Sequence, residues 1–265
     1  MSLIASGLSL RRGGRAILRG IDLRADPGQV TAIIGANGSG KTTLMRLLTG
    51  EMPPDAGAVS LNGHDLAGLG PARLARMRGV LPQASALSFP FTVAEVVGIG
   101  QEALGRPDGA RIPAALARVD LAGYGGRMYQ QLSGGEQARA QLARVLVQVW
   151  DSITDDGPAW LFLDEPVSSL DIAHQLWVMD EARRFADAGG GVVVVMHDLN
   201  LTAMYADHVV LLSQGGVLAS GPPAEVLTSD SLSAAYGCRI AVGRTPPSGL
   251  FVLPQAAGMQ LRAAR

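Results

Sequence analysis

Residues 35–43 constrain the fold of this chain more than any other stretch. Their sequence, GANGSGKTT, fits the pattern G-x-x-x-x-G-K-[ST] and directly follows the apolar run at 30–34. Glycines at these spacings let successive backbone N–H groups turn inward around an anion, with the N-terminus of the next helix behind them. The pattern therefore predicts a phosphate-binding loop between a buried strand and a helix. A glycine-rich turn that merely precedes a lysine is the alternative, and the flanking patterns argue against it.

The loop supplies most of the candidate nucleotide-binding residues. Lys41 is the only lysine of the chain, and the other Lys+Arg positions, of 22 in all, are arginines. A compact ammonium can fold back over the β- and γ-phosphates, which a flat guanidinium cannot do in the same way. Thr42 is expected to hold Mg²⁺, so the predicted ligands are ATP and Mg²⁺. The candidate phosphate-binding residues are Gly35, Ala36, Asn37, Gly38, Ser39, Gly40, Lys41, Thr42 and Thr43.

Composition limits the possible partners and location. The 265 residues are 48% hydrophobic, the formal net charge is −1, and neither sign of charge gathers in a run. Nucleic acid is therefore not an expected partner. The single Cys238 excludes an internal disulfide and suits a reducing compartment. No apolar run approaches the ~18 residues of a membrane span, so we expect a cytoplasmic protein.

The residue pattern predicts an α/β chain with a helical insertion. Loosely alternating segments at 3–10 and 16–24 predict two antiparallel strands ahead of a buried strand at 29–34. From Phe89 to about Trp150 the pattern is helical, and it starts with a capping box at 92–95. The remaining predicted elements are helix 41–48, strand 58–61, helix 71–78, strand 79–83, helices 112–119 and 138–149, strand 160–163, helix 173–187, strand 192–196, helix 199–205, strand 208–213 and helices near 223–236.

Polar residues at the ends of two predicted strands are candidate catalytic groups. Asp164 and Glu165 end the apolar strand 160–163, and His197 follows strand 192–196. The carboxyl ends of parallel strands form the edge where doubly wound folds bind ligands. We expect Asp164 to hold Mg²⁺ and Glu165 to accept a proton from the attacking water. By itself the acidic pair could be an ordinary turn, and the histidine could be a capped turn residue.

Residues 132–136, with the sequence LSGGE, allow two interpretations. Ser133 and Glu136 form a capping box, which marks the start of a helix. Gly134 and Gly135 weaken that first turn, however, and are useful chiefly where backbone must come close to another group. A second anion site formed by Ser133, Gly134 and Gly135 is the hypothesis that accounts for both glycines.

Taken together, these motifs resemble the ATP-binding-cassette ATPases in order and approximate spacing over nearly the whole chain. The matching parts are the Walker A loop at 35–43, the Q-loop at Gln83, the signature at 132–136, Walker B at 160–165, the D-loop at 169–171 and the switch residue His197. The resemblance implies an α/β P-loop NTPase (RecA-like) core, an N-terminal antiparallel β-subdomain and an inserted helical subdomain. The implied bounds are 1–88 and 153–237 for the core, 89–152 for the helical signature subdomain and 238–265 for a C-terminal tail.

The resemblance also implies an assembly and a role for each candidate residue. In a head-to-tail homodimer, Ser133 and Gly134 of one subunit would close on the γ-phosphate held by Lys41 of the other. The implied roles are Glu165, His197 and Lys41 in catalysis, Thr42, Gln83 and Asp164 as metal ligands, and Arg12, Gln83, Ser133, Gly134, Gly135 and Asp171 in nucleotide binding beside the loop.

Arg12 departs from the family pattern. The family usually places an aromatic residue before the Gly-Gly of the N-terminal hairpin, where it stacks on adenine, but here Arg12 precedes Gly13 and Gly14. A guanidinium plane can also stack on a base. A solvated arginine beside a loosely held adenine is the other interpretation. Base selectivity therefore stays open from the sequence.

Other segments resemble bacterial importers of iron chelates and cobalamin, most of all the haemin-import ATP-binding subunits. The segments are 81–83 (LPQ), 88–93 (SFPFTV), 171–175 (DIAHQ), 197–201 (HDLNL) and 252–255 (VLPQ). They imply an integral membrane permease dimer as partner, a periplasmic substrate-binding protein as an indirect one, and a peripheral location on the cytoplasmic face of the inner membrane. We expect the permease near Gln83 and 85–97, because Phe89 and Phe91 have no obvious core to join.

The same motifs also allow an importer of a different cargo or a different class of protein. A ferric siderophore or cobalamin importer would use the same ATPase. A soluble cassette ATPase of DNA repair or translation typically has two cassettes or a long coiled coil, which this chain lacks. A nucleotide kinase with a phosphate loop leaves residues 132–136 unexplained.

Overall fold

The computed structural model describes residues 1–83, 89–102, 105, 108–168, 170–245 and 248–254. Its strands are β1 (Leu3–Arg12), β2 (Arg15–Ala25), β3 (Val30–Gly35), β4 (Ala56–Leu61), β5 (His64–Asp65), β6 (Arg78–Leu81), β7 (Ile153–Thr154), β8 (Gly157–Pro158), β9 (Trp160–Asp164), β10 (Gly191–Val195), β11 (His208–Ser213) and β12 (Gly216–Gly221). Its helices are α1 (Lys41–Leu48), α2 (Pro71–Met77), α3 (Val93–Glu102), α4 (Arg111–Arg118), α5 (Gly134–Gln148), α6 (Ile172–Asp187), α7 (Leu199–Tyr205), α8 (Pro223–Val226) and α9 (Ser229–Tyr236). Parts of three predicted motifs lie outside the described residues, namely 85–88, Ser169 and Gln255.

Within the described residues, the central sheet has six strands in the order β12-β11-β3-β10-β9-β6. Neighbouring strands are parallel except β11 and β12, which form an antiparallel hairpin at one edge. β3, β9 and β10 are buried along their whole lengths, as continuous apolar strands of a parallel sheet should be. Val195 pairs with both Ile33 and Asp164, so the carboxyl ends of these three strands meet at one edge.

The N-terminal strands form a second, antiparallel sheet in the order β2-β1-β4-β5. Arg12 pairs with Arg15 across Gly13 and Gly14, whose φ angles of 53° and 77° are left-handed and therefore favour glycine. This confirms the predicted hairpin. Leu18 of β2 lies against the phosphate loop, so the antiparallel sheet borders the loop on one side.

Helices α3, α4 and α5 occupy the segment that was predicted to be a helical insertion. α5 begins at Gly134, four residues before the segment 138–149 predicted from the apolar pattern, and this start confirms the predicted capping box of Ser133 and Glu136. Its far end is tied to the sheet edge, where the Gln148 amide donates to the carbonyl oxygens of Ala75 and Arg78 at 2.8 and 2.9 Å. α5 therefore connects the helical insertion to α2 and to β6, the edge strand of the central sheet.

The two faces of the central sheet pack into different hydrophobic clusters. Val30, Ala32 and Ile34 of β3 face the cluster that includes the buried residues of α3, α4, α5 and α6. Ile33 faces the other cluster, which contains the antiparallel sheet and α1. This alternation follows from the two-residue period of a strand. None of the described helices is long and apolar enough to cross a membrane.

The prediction that neither Phe89 nor Phe91 has a core to join is wrong for Phe91. Its carbonyl oxygen accepts a hydrogen bond from the Tyr129 N–H at 2.9 Å, and its half-buried ring packs against the cluster that contains the insertion. Phe89 is 69% exposed, with its ring centroid 6.1 Å from that of Phe91. The exposed apolar group of this segment is therefore Phe89.

Candidate active site

The phosphate loop depends on glycine at two positions. Gly35 has a φ of 148°, and a Cβ there would lie 2.3 Å from the carbonyl oxygen of Leu212. Gly40 has a φ of 104°, and its Cβ would lie 2.7 Å from a methyl group of Leu18. Both positions combine a left-handed backbone with a neighbour that leaves no room for a side chain. The loop is thus held in one shape between β2, β3 and β11.

Lys41 and Ser39 show that the loop suits an anion. The Lys41 ammonium is buried and donates to the carbonyl oxygens of Gly35 and Ala36 at 2.9 and 3.2 Å. Burial lowers the pKa of Lys41, and the charges of nearby carboxylates offset part of that shift. The Ser39 hydroxyl is buried and has no hydrogen-bond partner within the described part of the chain. A buried polar atom without a partner is costly, and a phosphate oxygen would satisfy this one.

Thr42 and Asp164 place two hard oxygen ligands beside the loop. The Thr42 hydroxyl donates to Asp164 Oδ1 at 3.5 Å, and Asp164 is 5% exposed. Burial raises the pKa of Asp164, the bond from Thr42 opposes the shift, and the charge of Glu165 adds to it. Carboxylate and hydroxyl oxygens fit Mg²⁺, which usually takes only one or two carboxylates from the protein and completes its shell with water and phosphate oxygens. The described residues contain no cluster of three or more His, Cys, Asp or Glu side chains able to hold a metal ion.

Glu165 stands at the centre of a hydrogen-bond network at the sheet edge. Its φ of 51° is left-handed, and its N–H donates to the Val195 carbonyl oxygen at 3.2 Å. Its Oε2 accepts from the Gln83 amide at 2.7 Å, and its Oε1 lies 2.5 Å from His197 Nε2. Backbone strain of this kind occurs often at functional sites. Three residues from three separate strand ends are therefore joined in one network.

A cavity connects this network with the start of α5. Its volume is about 170 Å³, and its lining includes Gln83, Asp164, Glu165, Gly134 and Gln137. The cavity therefore lies between the helical insertion and the carboxyl end of the sheet. Sequence reasoning missed Gln137, whose position directly after the LSGGE segment was the only signal for it.

The residues of the LSGGE segment bond to one another. Both the N–H and the hydroxyl of Ser133 donate to Glu136 Oε2 at 2.8 Å, and the Glu136 N–H lies 3.3 Å from the Ser133 hydroxyl. The bond from the Ser133 N–H is the main reason why the pKa of Glu136 is lowered. Among the described residues, a Cβ on Gly134 would meet nothing within 4 Å, and one on Gly135 would meet only Leu170, at 3.7 Å. The packing of this chain does not itself require glycine at either position.

Arg12 and Asp171 lie in other local settings. Arg12 Nη2 is 2.8 Å from Met52 Sδ at the exposed end of the N-terminal hairpin. Asp171 caps α6, where it accepts hydrogen bonds from the N–H and the Nδ1 of His174 at 2.9 and 2.8 Å. Sequence reasoning missed His174, although its spacing of three residues from a helix-capping aspartate was an available signal. Among the described residues, no hydrogen bond joins Arg12, Ser133 or Asp171 to the phosphate loop.

The fold and this site define a P-loop ATPase of the α/β class. A family model described as ABC transporter matches residues 18–168. The chain is 58% identical over 259 residues to "Hemin import ATP-binding protein HmuV" of Jannaschia sp. (strain CCS1), covering 96% of this chain and 95% of that protein. The protein of the same name from Roseobacter denitrificans is 55% identical, with 97% and 99% covered. A solved structure titled "Structure of ATP binding subunit of ABC transporter" superposes with a TM-score of 0.76 at 25% identity, covering 91% of this chain and 95% of that one.

The chain belongs to the ABC transporter family. Its predicted fold class is confirmed, because the described sheets and helices match those of family members over nearly the whole chain. Its activity is ATP hydrolysis coupled to transport. Membership also implies that ATPase units work as a dimer with a membrane permease.

Proposed function

We propose that this chain is the ATP-hydrolysing subunit of a bacterial importer of haemin. The main support is 58% identity over nearly the full length to the hemin import ATP-binding protein of Jannaschia sp.. Coverage of both chains matters here, because the similarity includes the C-terminal segments as well as the shared ATPase motifs. A ferric siderophore or cobalamin as cargo is the alternative within the same group of importers.

In this proposal the phosphate loop binds ATP with groups that one chain already holds in place. Lys41 exchanges the carbonyl oxygens of Gly35 and Ala36 for the β- and γ-phosphates. The Ser39 hydroxyl gains the hydrogen-bond partner that it lacks among the described residues. The loop's N–H groups and the N-terminus of α1 add fixed positive dipoles at no cost in reorganisation.

Thr42, Asp164 and Gln83 are the proposed ligands of Mg²⁺. Bound there, Mg²⁺ would neutralise charge on the β- and γ-phosphates. The Thr42 hydroxyl and the Asp164 carboxylate already lie 3.5 Å apart. The Gln83 amide nitrogen donates to Glu165, which leaves the amide oxygen of Gln83 as the metal ligand.

Glu165 is the proposed general base. Each of its carboxylate oxygens makes one contact, one with Gln83 and the other with His197, and each retains a second lone pair for a water proton. The two neighbours hold the carboxylate at the sheet edge while it accepts that proton. We propose that His197 orients Glu165 and the attacking water.

A head-to-tail dimer is the proposed way to complete the site. Ser133 and the open backbone at Gly134 and Gly135 would meet the γ-phosphate bound by the other subunit. The glycines then serve a group that lies outside their own chain. Asp171 would contact the nucleotide at the same interface.

The proposed location is the cytoplasmic face of the inner membrane, beneath a permease dimer and indirectly linked to a periplasmic binding protein. Phe89 supports a docking surface beside Gln83, because it is large, apolar and 69% exposed. Phe89→Asp should abolish transport and leave ATP binding intact. Ile153→Asp is a matched control, since Ile153 is 63% exposed on β7. Normal transport in Phe89→Asp would contradict the docking assignment.

Transport of a chosen cargo tests the function as a whole. The chain is reconstituted with its permease in proteoliposomes, and ATPase activity is measured with a binding protein loaded with haemin, a ferric siderophore or cobalamin. We expect haemin alone to stimulate hydrolysis and to enter the vesicles, and Glu165→Gln to abolish both effects. Stimulation by a siderophore or by cobalamin, but not by haemin, would overturn the proposed cargo.

A further inference from the structure

An arginine and a histidine join the two helix starts that the proposed dimer would present to the other subunit. Arg139 lies on α5, six residues after Ser133, and its side chain is 11% exposed. Its Nη1 is 2.9 Å from His174 Nε2 on α6 and 3.3 Å from Asp120 Oδ2. His174 Nδ1 in turn lies 2.8 Å from Asp171 Oδ1. A continuous chain of polar contacts thus runs from α5 to the cap of α6.

The donor in each of these contacts follows from simple chemistry. Arginine has only donors, so His174 Nε2 must accept the bond from Arg139. The ring proton then sits on Nδ1 and points to the Asp171 carboxylate. The bridging ring is therefore a neutral imidazole with one acceptor and one donor, and it fills the space between a cation and an anion.

A glutamine side chain within each helix also holds the residues just before that helix begins. The Gln137 amide donates to the carbonyl oxygen of Leu132, at 3.2 Å, just ahead of Ser133. The Gln175 amide donates to the carbonyl oxygen of Leu170, at 3.0 Å, just ahead of Asp171. These bonds shape the two segments separately. The contact between Arg139 and His174 sets one segment relative to the other.

We propose that His174 is a positioning residue that fixes Asp171 relative to the start of α5. The inference rests on the proposed function, in which both segments meet ATP bound by the other subunit. His174 itself touches neither nucleotide nor water in this account. It acts through Asp171 and Arg139. Its loss should therefore impair the nucleotide site that the two subunits form together and spare the phosphate loop.

Two substitutions separate this role from a general effect on folding. His174→Gln keeps an acceptor for Arg139 and a donor for Asp171, whereas His174→Leu removes both. In either variant the backbone N–H of residue 174 can still cap α6 at Asp171. His208→Leu is the matched control, because it removes an imidazole that is bonded to Ser220 on the edge hairpin.

The test measures kcat, ATP affinity of the dilute full-length chain, and the thermal unfolding temperature. We expect His174→Leu to lower kcat by roughly ten- to a hundredfold, the scale of a small misplacement in an active site. ATP affinity should stay at the wild-type value, His174→Gln should recover most of the activity, and His208→Leu should behave as wild type. Equal losses in the Gln and Leu variants would overturn the proposal.

A double-mutant cycle with Arg139→Met provides an independent check. If the two residues act through one bridge, Arg139→Met should cost little more in a chain that already has His174→Leu. Strictly additive losses would overturn the proposal. With the permease present, failure of Glu165→Gln to abolish turnover would overturn the proposed site and this inference with it, whereas wild-type turnover in His174→Leu would overturn the inference alone.

Discussion

The sheet edge and the start of α5 both hold residues expected at ATP, but they differ in what those residues already contact. At the sheet edge, hydrogen bonds link the ends of separate strands through Glu165, and the loop glycines are packed against β2 and β11. At the start of α5, Ser133 and Glu136 bond to each other, and the space beside Gly134 is open. The first region is assembled within one chain, whereas the second would be completed by the other subunit of the proposed dimer.

This difference indicates how the work is divided. Residues that must bind nucleotide in a single chain are held by that chain's own backbone and packing. Residues that are proposed to act on the other subunit's nucleotide bond mainly to neighbours in their own helix cap and leave open space beside them. Substitutions that disturb the packed phosphate loop of the first region should therefore lower both stability and activity, while substitutions in the second region should change activity far more than stability.

The largest effect is expected at Glu165. Replacing it by Gln keeps its shape and one acceptor oxygen for the Gln83 amide, puts an NH2 group beside His197, and removes the basic carboxylate. Hydrolysis should fall about 10²-fold or more, the usual scale for a positioned base. ATP affinity should stay near the wild-type value, because the phosphate loop is untouched. Near-normal turnover, measured by phosphate release, would remove Glu165 from the role of base and point to His197.

Two glycines give the most direct contrast between the regions. Gly35→Ala should lower the free energy of unfolding by roughly 3 kcal/mol or more. The φ of 148° is strained for alanine, and the added Cβ would lie 2.3 Å from the carbonyl oxygen of Leu212. Gly134→Ala should leave it unchanged or raise it by up to about 1 kcal/mol, since alanine favours a helix. Turnover should nevertheless fall in both.

Denaturant unfolding of the nucleotide-free chains separates the two outcomes. If Gly134→Ala destabilises the chain as much as Gly35→Ala, the glycines of the LSGGE segment serve the fold of their own subunit. If Gly134→Ala is both stable and fully active, the open space beside that glycine has no role in hydrolysis. Either result would contradict the proposed division between the regions.

Arg12 lies at the margin of the first region, and a smaller effect is expected there. If its guanidinium stacks on adenine, Arg12→Ala should weaken ATP binding by about 1 kcal/mol, and Arg12→Tyr should restore it. Arg15→Ala is the control, because Arg15 pairs with Arg12 across the same hairpin and carries the same charge. An unchanged dissociation constant in Arg12→Ala would leave Arg12 as a surface residue bonded to Met52.

The smallest effects are opposite pH dependences of stability. Burial raises the pKa of Asp164, so the folded chain binds more protons than the unfolded chain above the ordinary carboxyl value of 3.8. Its contribution to stability therefore falls as pH rises through that window. At Glu136 the pKa is lowered, so its contribution is present above the ordinary value of 4.5 and is lost as pH falls.

Melting temperatures at neutral pH without nucleotide measure the two contributions. Asp164→Asn should raise the melting temperature by roughly 1 to 3 °C, since it removes a buried charge. Glu136→Gln should lower it slightly, because a neutral amide accepts the Ser133 N–H less strongly than a carboxylate does. Shifts of the same sign in both variants would contradict the electrostatic contrast between the regions.

Local patterns were sufficient to predict much of the fold. The apolar run before residue 35 and the glycine spacing after it predict β3, the loop and α1, because each depends on neighbours in sequence. The capping box at Ser133 and Glu136 predicted the start of α5 correctly, whereas the apolar pattern indicated a helix only from residue 138, because the two glycines lower helix propensity. No strand was predicted for the short hairpin of β7 and β8. Strand order was not predictable, because it depends on pairing between distant segments.

The site was predictable to a similar extent and for the same reason. Asp164, Glu165 and His197 could be placed at one edge because parallel strands end together. The unpartnered hydroxyl of Ser39 and the contact between Arg139 and His174 depend on side-chain packing between segments far apart in the chain. No periodicity or short motif encodes such contacts, so they appear only in the structure.

The central claim is that ATP joins Lys41 of one subunit to Ser133 of another, and the mass of the Glu165→Gln chain in solution tests it most directly. Size-exclusion chromatography with light scattering should show a monomer without nucleotide and a dimer with ATP and Mg²⁺. Adding Ser133→Arg to the same chain should abolish the dimer while ATP still binds. A chain that binds ATP and stays monomeric, or a dimer that persists with Ser133→Arg, would contradict the claim.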